Sequence, residues 1–332
     1  MLQTRFTELV GCSTPLQLAG MGGQIGSPEL AAAVARAGGL GMIGPGPSAD
    51  GLRTILDRLQ QDDPPGAIGV NFLMPFLEEV AAVEVAANRA RVVEFFYGDP
   101  DAALVGAVHN GGALASWQVG STAEARAAVE AGCDFVVAQG TEAGGHVRGR
   151  LGLLALLPEV LDEVEVPVLA AGGVGTARGV AAALAAGADG VRVGTRFVAA
   201  TESGAHPEYV AALVEAGSED TALTETFWVQ WSGAPHRVLR SCVEAAEALD
   251  RDTAGEVTHG EVTFPVPRFA PQPPNRTTTG AVQAMAMYAG QSVGAVREVQ
   301  HAGEIVTELM DGAERLLRAW TRRDTEGGKS CR

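Results

Sequence analysis

Cysteine is scarce in this chain, and its four copies, Cys12, Cys133, Cys242 and Cys331, are scattered through 332 residues without metal-ligand spacing. Such usage fits a reducing compartment and buried or incidental thiols. No cluster of carboxylates, histidines or thiols supports a catalytic metal. No uninterrupted apolar run reaches the ~20 residues that a bilayer crossing needs. The start, MLQTRFTELVG, lacks a cationic stretch followed by an apolar core and a small-residue cleavage site, so no signal peptide is visible and a soluble, cytoplasmic protein is expected. Positive charge is also short: 24 Lys and Arg stand against 40 Asp and Glu, and the net charge of −16 opposes binding to nucleic acid or anionic membranes. It weighs mildly against an acidic protein partner as well.

Hydrophobic residues make up 46% of the chain and are spread throughout, enough for a sizeable core. Three segments repeat one pattern: ELAAAVARAGGLGMIG (29–44), EARAAVEAGCDFVVAQG (124–140) and RGVAAALAAGADGVRVG (178–194). Each reads as an alanine-rich helix, a glycine past its end, a short turn and a buried strand. Strands placed by that rule fall at 16–20, 41–44, 67–71, 92–97, 113–119, 135–138, 166–171 and 190–194, with helical patterns such as 52–60, 76–88 and 100–110 between them. Eight such units predict an α/β fold of the (β/α)8 TIM barrel type, an open doubly wound sheet being the alternative. After Thr195 the rhythm changes, and a proline cluster runs from Pro265 to Pro274. The expected organisation is a barrel from 1–205 and 286–332, with a smaller, mainly helical cap at 206–285 inserted before the C-terminal helices. Helix 302–318 should pack back on the barrel, and the polar tail 325–332 should be disordered.

The stretch CDFVVAQGTEAGGHVRG (133–149) concentrates the chemistry. A strand that ends in a glycine-rich turn bearing one histidine is how parallel α/β proteins place a titratable group over a ligand, which makes His146 the first catalytic candidate. The plain alternative is that the glycines only turn the chain. Barrel function sits at the C-terminal ends of strands. Those positions are Gly20, Met21, Gly22, Gly23, Asn71, Gln118, Gln139 to His146, Gly172, Gly173, Gly194 and Thr195. The loops AAGGVGTARG and VGTRF, after the seventh and eighth strands, suit a phosphate, because glycine lets backbone N–H groups approach an anion and a helix starts near Thr176. No Walker-type lysine follows, which argues against a nucleoside triphosphate. Asn71, Gln118 and Gln139 offer uncharged donors and acceptors suited to the edges of a flavin-like heterocycle. Tyr288, Gln291 and Ser292 lie on the chain's return from the cap and are candidates to close the pocket over a substrate. The remaining histidines, 109, 206, 236, 259 and 301, sit in helix or cap patterns and read as structural or solvated. Trp228, Trp231 and the Met285–Met287 stripe either fill the cap's core or line a homodimer surface.

The elements LAGMGG, ELAAAVARAGGLGMIG, IGVNF, AQGTEAGGH, PVLAAGGVGTARGVAAALAAGADGVRVGTRF and YAGQS, in that order, resemble the nitronate monooxygenase family, formerly the 2-nitropropane dioxygenases. They are similar also to the FMN-dependent enoyl-acyl-carrier-protein reductase of the same superfamily. The resemblance implies an FMN-binding barrel with a cap over the flavin. It implies a phosphate on Gly172, Gly173, Gly194 and Thr195, a ring against Gly20, Met21, Gly22, Asn71 and Gly145, and His146 as catalytic histidine. It implies oxidation of alkyl nitronates by dioxygen to carbonyl compounds and nitrite, with His146 as base or substrate-positioning group. Two places depart from the family's pattern: Gln118 stands where several relatives have a lysine near the flavin, and VVEFFYGDPD (92–101) replaces a small-residue loop. An NAD(P)H-dependent flavin reductase acting on an enoyl thioester or quinone is the second expectation, and a non-catalytic phosphate-ligand barrel the third.

Overall fold

The protein is described by a computed structural model covering residues 2–44, 48–61 and 66–326; Cys331 and most of the polar tail lie outside the described residues. Eight strands form one parallel sheet: β1 (Leu16–Leu18), β2 (Gly41–Ile43), β3 (Ile68–Leu73), β4 (Val92–Phe96), β5 (Leu114–Val119), β6 (Phe135–Gln139), β8 (Val168–Ala171) and β9 (Gly190–Val193). A two-residue strand, β7 (Gly145–His146), leaves the barrel between β6 and β8. In space the sheet runs β1-β9-β8-β6-β5-β4-β3-β2, every pair hydrogen-bonded. The ends meet where Leu18 N–H donates to Leu40 O at 2.9 Å and Leu40 N–H to Leu16 O at 2.8 Å, which closes the barrel. Each expected strand overlaps an observed one, because strands covered on both faces show in sequence as continuous apolar runs.

Helices enter their turns through side-chain caps: Ser27 accepts from Leu30 N–H, Ser121 from Glu124 N–H and Thr176 from Gly179 N–H. The helix expected from Phe76 begins only at Val80, since Met74–Phe76 forms a separate 3-10 turn around Pro75. The last helix, Ala302–Glu326, buries Ile305, Val306, Leu309 and Ala313 against the barrel helices, as expected.

The segment after the barrel strands is mixed in structure, which corrects the expectation of a mainly helical cap. It holds helices Pro207–Glu215 and Arg240–Ala248 and five strands: β10 (Thr221–Thr224), β11 (His236–Leu239), β12 (Thr253–His259), β13 (Val262–Pro267) and β14 (Thr279–Gly280). Strands β12 and β13 form a hairpin around Gly260, whose φ is +61°. Pro265 and Pro267 disguise β13 in the sequence; they are tolerated because β13 is an edge strand. Val238, Leu239, Tyr209, Phe227 and Met287 make this segment's core, which also takes in Ile25 and Val198 from the barrel loops. Met285 and Met287 are core, whereas Trp228 is exposed.

Candidate active site

A cavity of about 790 Å³ opens at the C-terminal ends of the barrel strands, roofed by β12, β13 and the loop before β11. Its lining brings together Gly20, Met21 and Gly22 after β1, the amides Asn71, Gln118 and Gln139, and Gly145 with His146. Gly172 and Gly173 after β8, Gly194 and Thr195 after β9, and Tyr288 and Ser292 complete the set. Gln291 does not line the cavity: it is exposed, and its backbone N–H donates to Glu142 O at 2.9 Å. That bond, and Gly290 N–H to Thr195 Oγ1 at 3.0 Å, tie the returning chain to the loops after β6 and β9.

The loops after β8 and β9 form an anion cradle. Gly172 and Gly173 have φ of +103° and +69°, a pair of left-handed residues that side chains rarely adopt. Among the described residues, the backbone N–H groups of Gly172, Gly173, Gly194 and Thr195 donate to no protein acceptor. Gly173 is exposed, but unmatched backbone donors at positions as covered as Gly172, Gly194 and Thr195 are rare unless a ligand or water takes them, and beside the capped N-terminus of helix Ala177–Ala185 the set suits a phosphate. Gly20 is required for another reason: a Cβ there would lie 2.5 Å from Asn71 Cβ, so only glycine lets the first loop cross the floor.

His146 is placed by two neighbours. Gln139 Nε2 donates to the His146 carbonyl at 3.0 Å, and β7 pairs antiparallel with β11, setting His146 opposite His236. The imidazole stacks on Trp231 with ring centroids 3.7 Å apart, and Tyr97, Tyr288 and His236 surround it at 5.8, 5.6 and 5.2 Å. Burial, and secondarily His236, lowers its pKa to about 3. His236 is lowered too, chiefly by burial; its Nδ1 faces Ala234 O and its Nε2 accepts from Phe227 N–H, which fixes a neutral tautomer. His146 Nε2 and Gln139 Oε1 are buried with no partner, and the Gln118 amide, 4% exposed, has none among the described residues. This part of the site is uncharged, apolar-walled and rich in unmatched polar atoms.

Beneath it lies a charged network that sequence reasoning missed. Glu94, fully buried on β4, accepts from Gln17 Nε2 and Asn71 Nδ2, each at 2.8 Å, and from Arg192 on β9. A signal was available: VVEFF and GVRV each carry one ion of opposite sign inside a run otherwise apolar on both faces. The departing segment at 92–101 therefore reaches the site twice, through Glu94 below and Tyr97 beside His146. His236 and His259, expected to be structural or solvated, and Trp231, expected in the cap's core or on a dimer surface, also belong to the site: Trp231 and His259 line the cavity, and His236 lies 5.2 Å from His146 between ring centroids.

A family profile described as nitronate monooxygenase matches residues 3–75 and 67–312. A nitronate monooxygenase of Paraburkholderia phytofirmans is 31% identical, over 91% of this chain and 92% of that one. A (3aS,4S,5R,7aS)-5-hydroxy-7a-methyl-1-oxo-octahydro-1H-indene-4-carboxyl-CoA dehydrogenase of Rhodococcus jostii is 35% identical over 72% of this chain, which spans 66% of that relative's length. The solved nitroalkane oxidase of Streptomyces ansochromogenes superposes with a TM-score of 0.77 at 29% identity, covering 96% of this chain and all of that one. No helix among the described residues is long and apolar enough to cross a membrane.

Proposed function

The chain belongs to the nitronate monooxygenase family of oxidoreductases, and from that premise we propose that it uses FMN to oxidise alkyl nitronates with dioxygen to carbonyl compounds and nitrite. FMN supplies an electron acceptor that dioxygen can reoxidise. The cradle of unmatched donors at Gly172, Gly173, Gly194 and Thr195 fits its phosphate. Asn71, Gln118 and the Gly20–Gly22 turn offer amides and backbone to a polar ring.

The observation that carries the choice of substrate is the charge on the cavity wall. Among the described lining residues Arg192 is the only arginine or lysine, and it is paired with Glu94; Glu78 and Glu79 stand at the mouth. Apart from Arg192, held on the floor by Glu94, no described lining residue offers a cation to the pyrophosphate of NAD(P)H or coenzyme A, or to an acidic carrier. A nitronate needs less: a hydrogen-bond donor for its oxygens and a dry wall around it. His146 supplies the donor as a neutral imidazole, while Trp231, Tyr97 and Tyr288 exclude water around it.

The reductase reading has one observation in its favour. Phe76, Leu77, Phe264 and Val266 line a cavity larger than a short nitroalkane fills, and the Rhodococcus relative is named for a CoA thioester. Purified protein is expected to show a flavin spectrum that bleaches anaerobically on addition of nitronate and not of NADH. Rapid bleaching by NADH alone would move the assignment to the reductase, and a colourless protein that takes up no FMN would leave only a phosphate-ligand barrel.

A further inference from the structure

The cavity floor holds a cation with more donors than the protein uses. The Arg192 side chain is 6% exposed, and Glu94 takes one of its five N–H groups. The other four have no acceptor among the described residues. Arg192 lines the cavity and Glu94 does not, so the pair presents its positive end to whatever the cavity binds. Gln17 donates to the other carboxylate oxygen, Oε2, and Asn71 shares Oε1 with Arg192, which fixes the carboxylate that holds the guanidinium. A buried guanidinium with free donors is unfavourable unless a ligand completes it. The phosphate cradle has its own donors in the loops after β8 and β9, and His146 belongs to the uncharged wall after β6.

Resting on the FMN reading above, we propose that Arg192 donates to the bound flavin ring and stabilises the negative charge that the ring acquires on reduction, the part that the resemblance gives to a lysine at the position of Gln118. Glu94 is then a positioning residue that acts through Arg192.

Sulfite tests this without turnover. Its lone pair forms a bond to flavin N5 and the ring takes up the negative charge, so the affinity, read by bleaching of the flavin, reports the cation. Arg192→Gln should weaken sulfite binding by roughly tenfold or more, and Arg192→Lys should stay within about threefold of wild type. The double variant Glu94→Gln/Arg192→Gln, which leaves no uncompensated buried charge, should match the single variant and decides the matter if that one fails to fold. Loss of FMN in Arg192→Gln that Arg192→Lys restores supports the proposal. Unchanged sulfite affinity in a flavin-bearing Arg192→Gln or double variant overturns it, including the case where KM for nitronate rises and Arg192 serves the substrate instead. Wild-type protein that takes up no FMN overturns the reading beneath it as well, so the two failures are distinct.

Discussion

At the scale of single residues, the structure changes what His146 can do. An imidazole whose pKa is lowered to about 3 is a poor acceptor for the α-proton of a neutral nitroalkane, but a serviceable hydrogen-bond donor to a nitronate. His146→Asn, which keeps a donor, is therefore expected to retain most nitronate turnover, while His146→Ala loses roughly a hundredfold and both still hold FMN. Equal losses in the two variants would contradict the donor role. Because the free enzyme's ring stays neutral, kcat/KM for nitronate should show no inflection near the ordinary histidine value of about 6.5. An inflection there that disappears in His146→Asn would show that the ring titrates normally. The sequence disclosed His146 and Gln139 because they follow a buried strand into a glycine turn. It hid Trp231 and His236, whose relation to His146 exists only through the β7–β11 pairing.

At the scale of elements, the barrel was legible and the roof was not. A strand buried on both faces leaves a run such as Phe135–Gln139 that needs no partner to be recognised, and the helix-glycine-strand repeat fixes its position. Strand β13 has five of its six residues exposed, and its two prolines interrupt the alternation of Val262, Phe264 and Val266 that would otherwise mark it. Glu94 and Arg192 each stand inside a run that reads as a buried strand, and only the folded barrel shows that the two are paired. The loop after β8 makes a sharper prediction. A Cβ on Gly172 would lie 2.9 Å from Gly140 O at a φ of +103°. Gly172→Ala should cost about 1–2 kcal/mol of stability and distort the donors beside it. Fluorescence titration should find FMN bound at least roughly tenfold more weakly, with the barrel intact by circular dichroism. Unchanged FMN affinity would move the phosphate elsewhere.

At the scale of the whole molecule, the site is a seam, and the seam carries a pH dependence. The roof's β11 pairs with β7 of the barrel side, so His146 and His236 lie opposed between the two and both resist protonation through burial. When the chain unfolds, both rings return to ordinary histidine behaviour. Above pH ~6.5 neither state holds the extra proton and the pair contributes nothing. Below that value the unfolded chain binds protons that the folded chain refuses, so stability falls with pH down to the folded value, about 3 for His146. Between pH 6.5 and 5 this single ring removes about 2 kcal/mol. Urea melts at pH 7.5 and pH 5 should therefore show a loss in wild type that exceeds the loss in His146→Asn by about that amount. Carboxylates that titrate over the same interval act on both proteins and cancel in the comparison. If wild type and variant lose equally, His146 is solvated in solution, the seam opens without FMN, and the stacked arrangement with Trp231 belongs to a minor state.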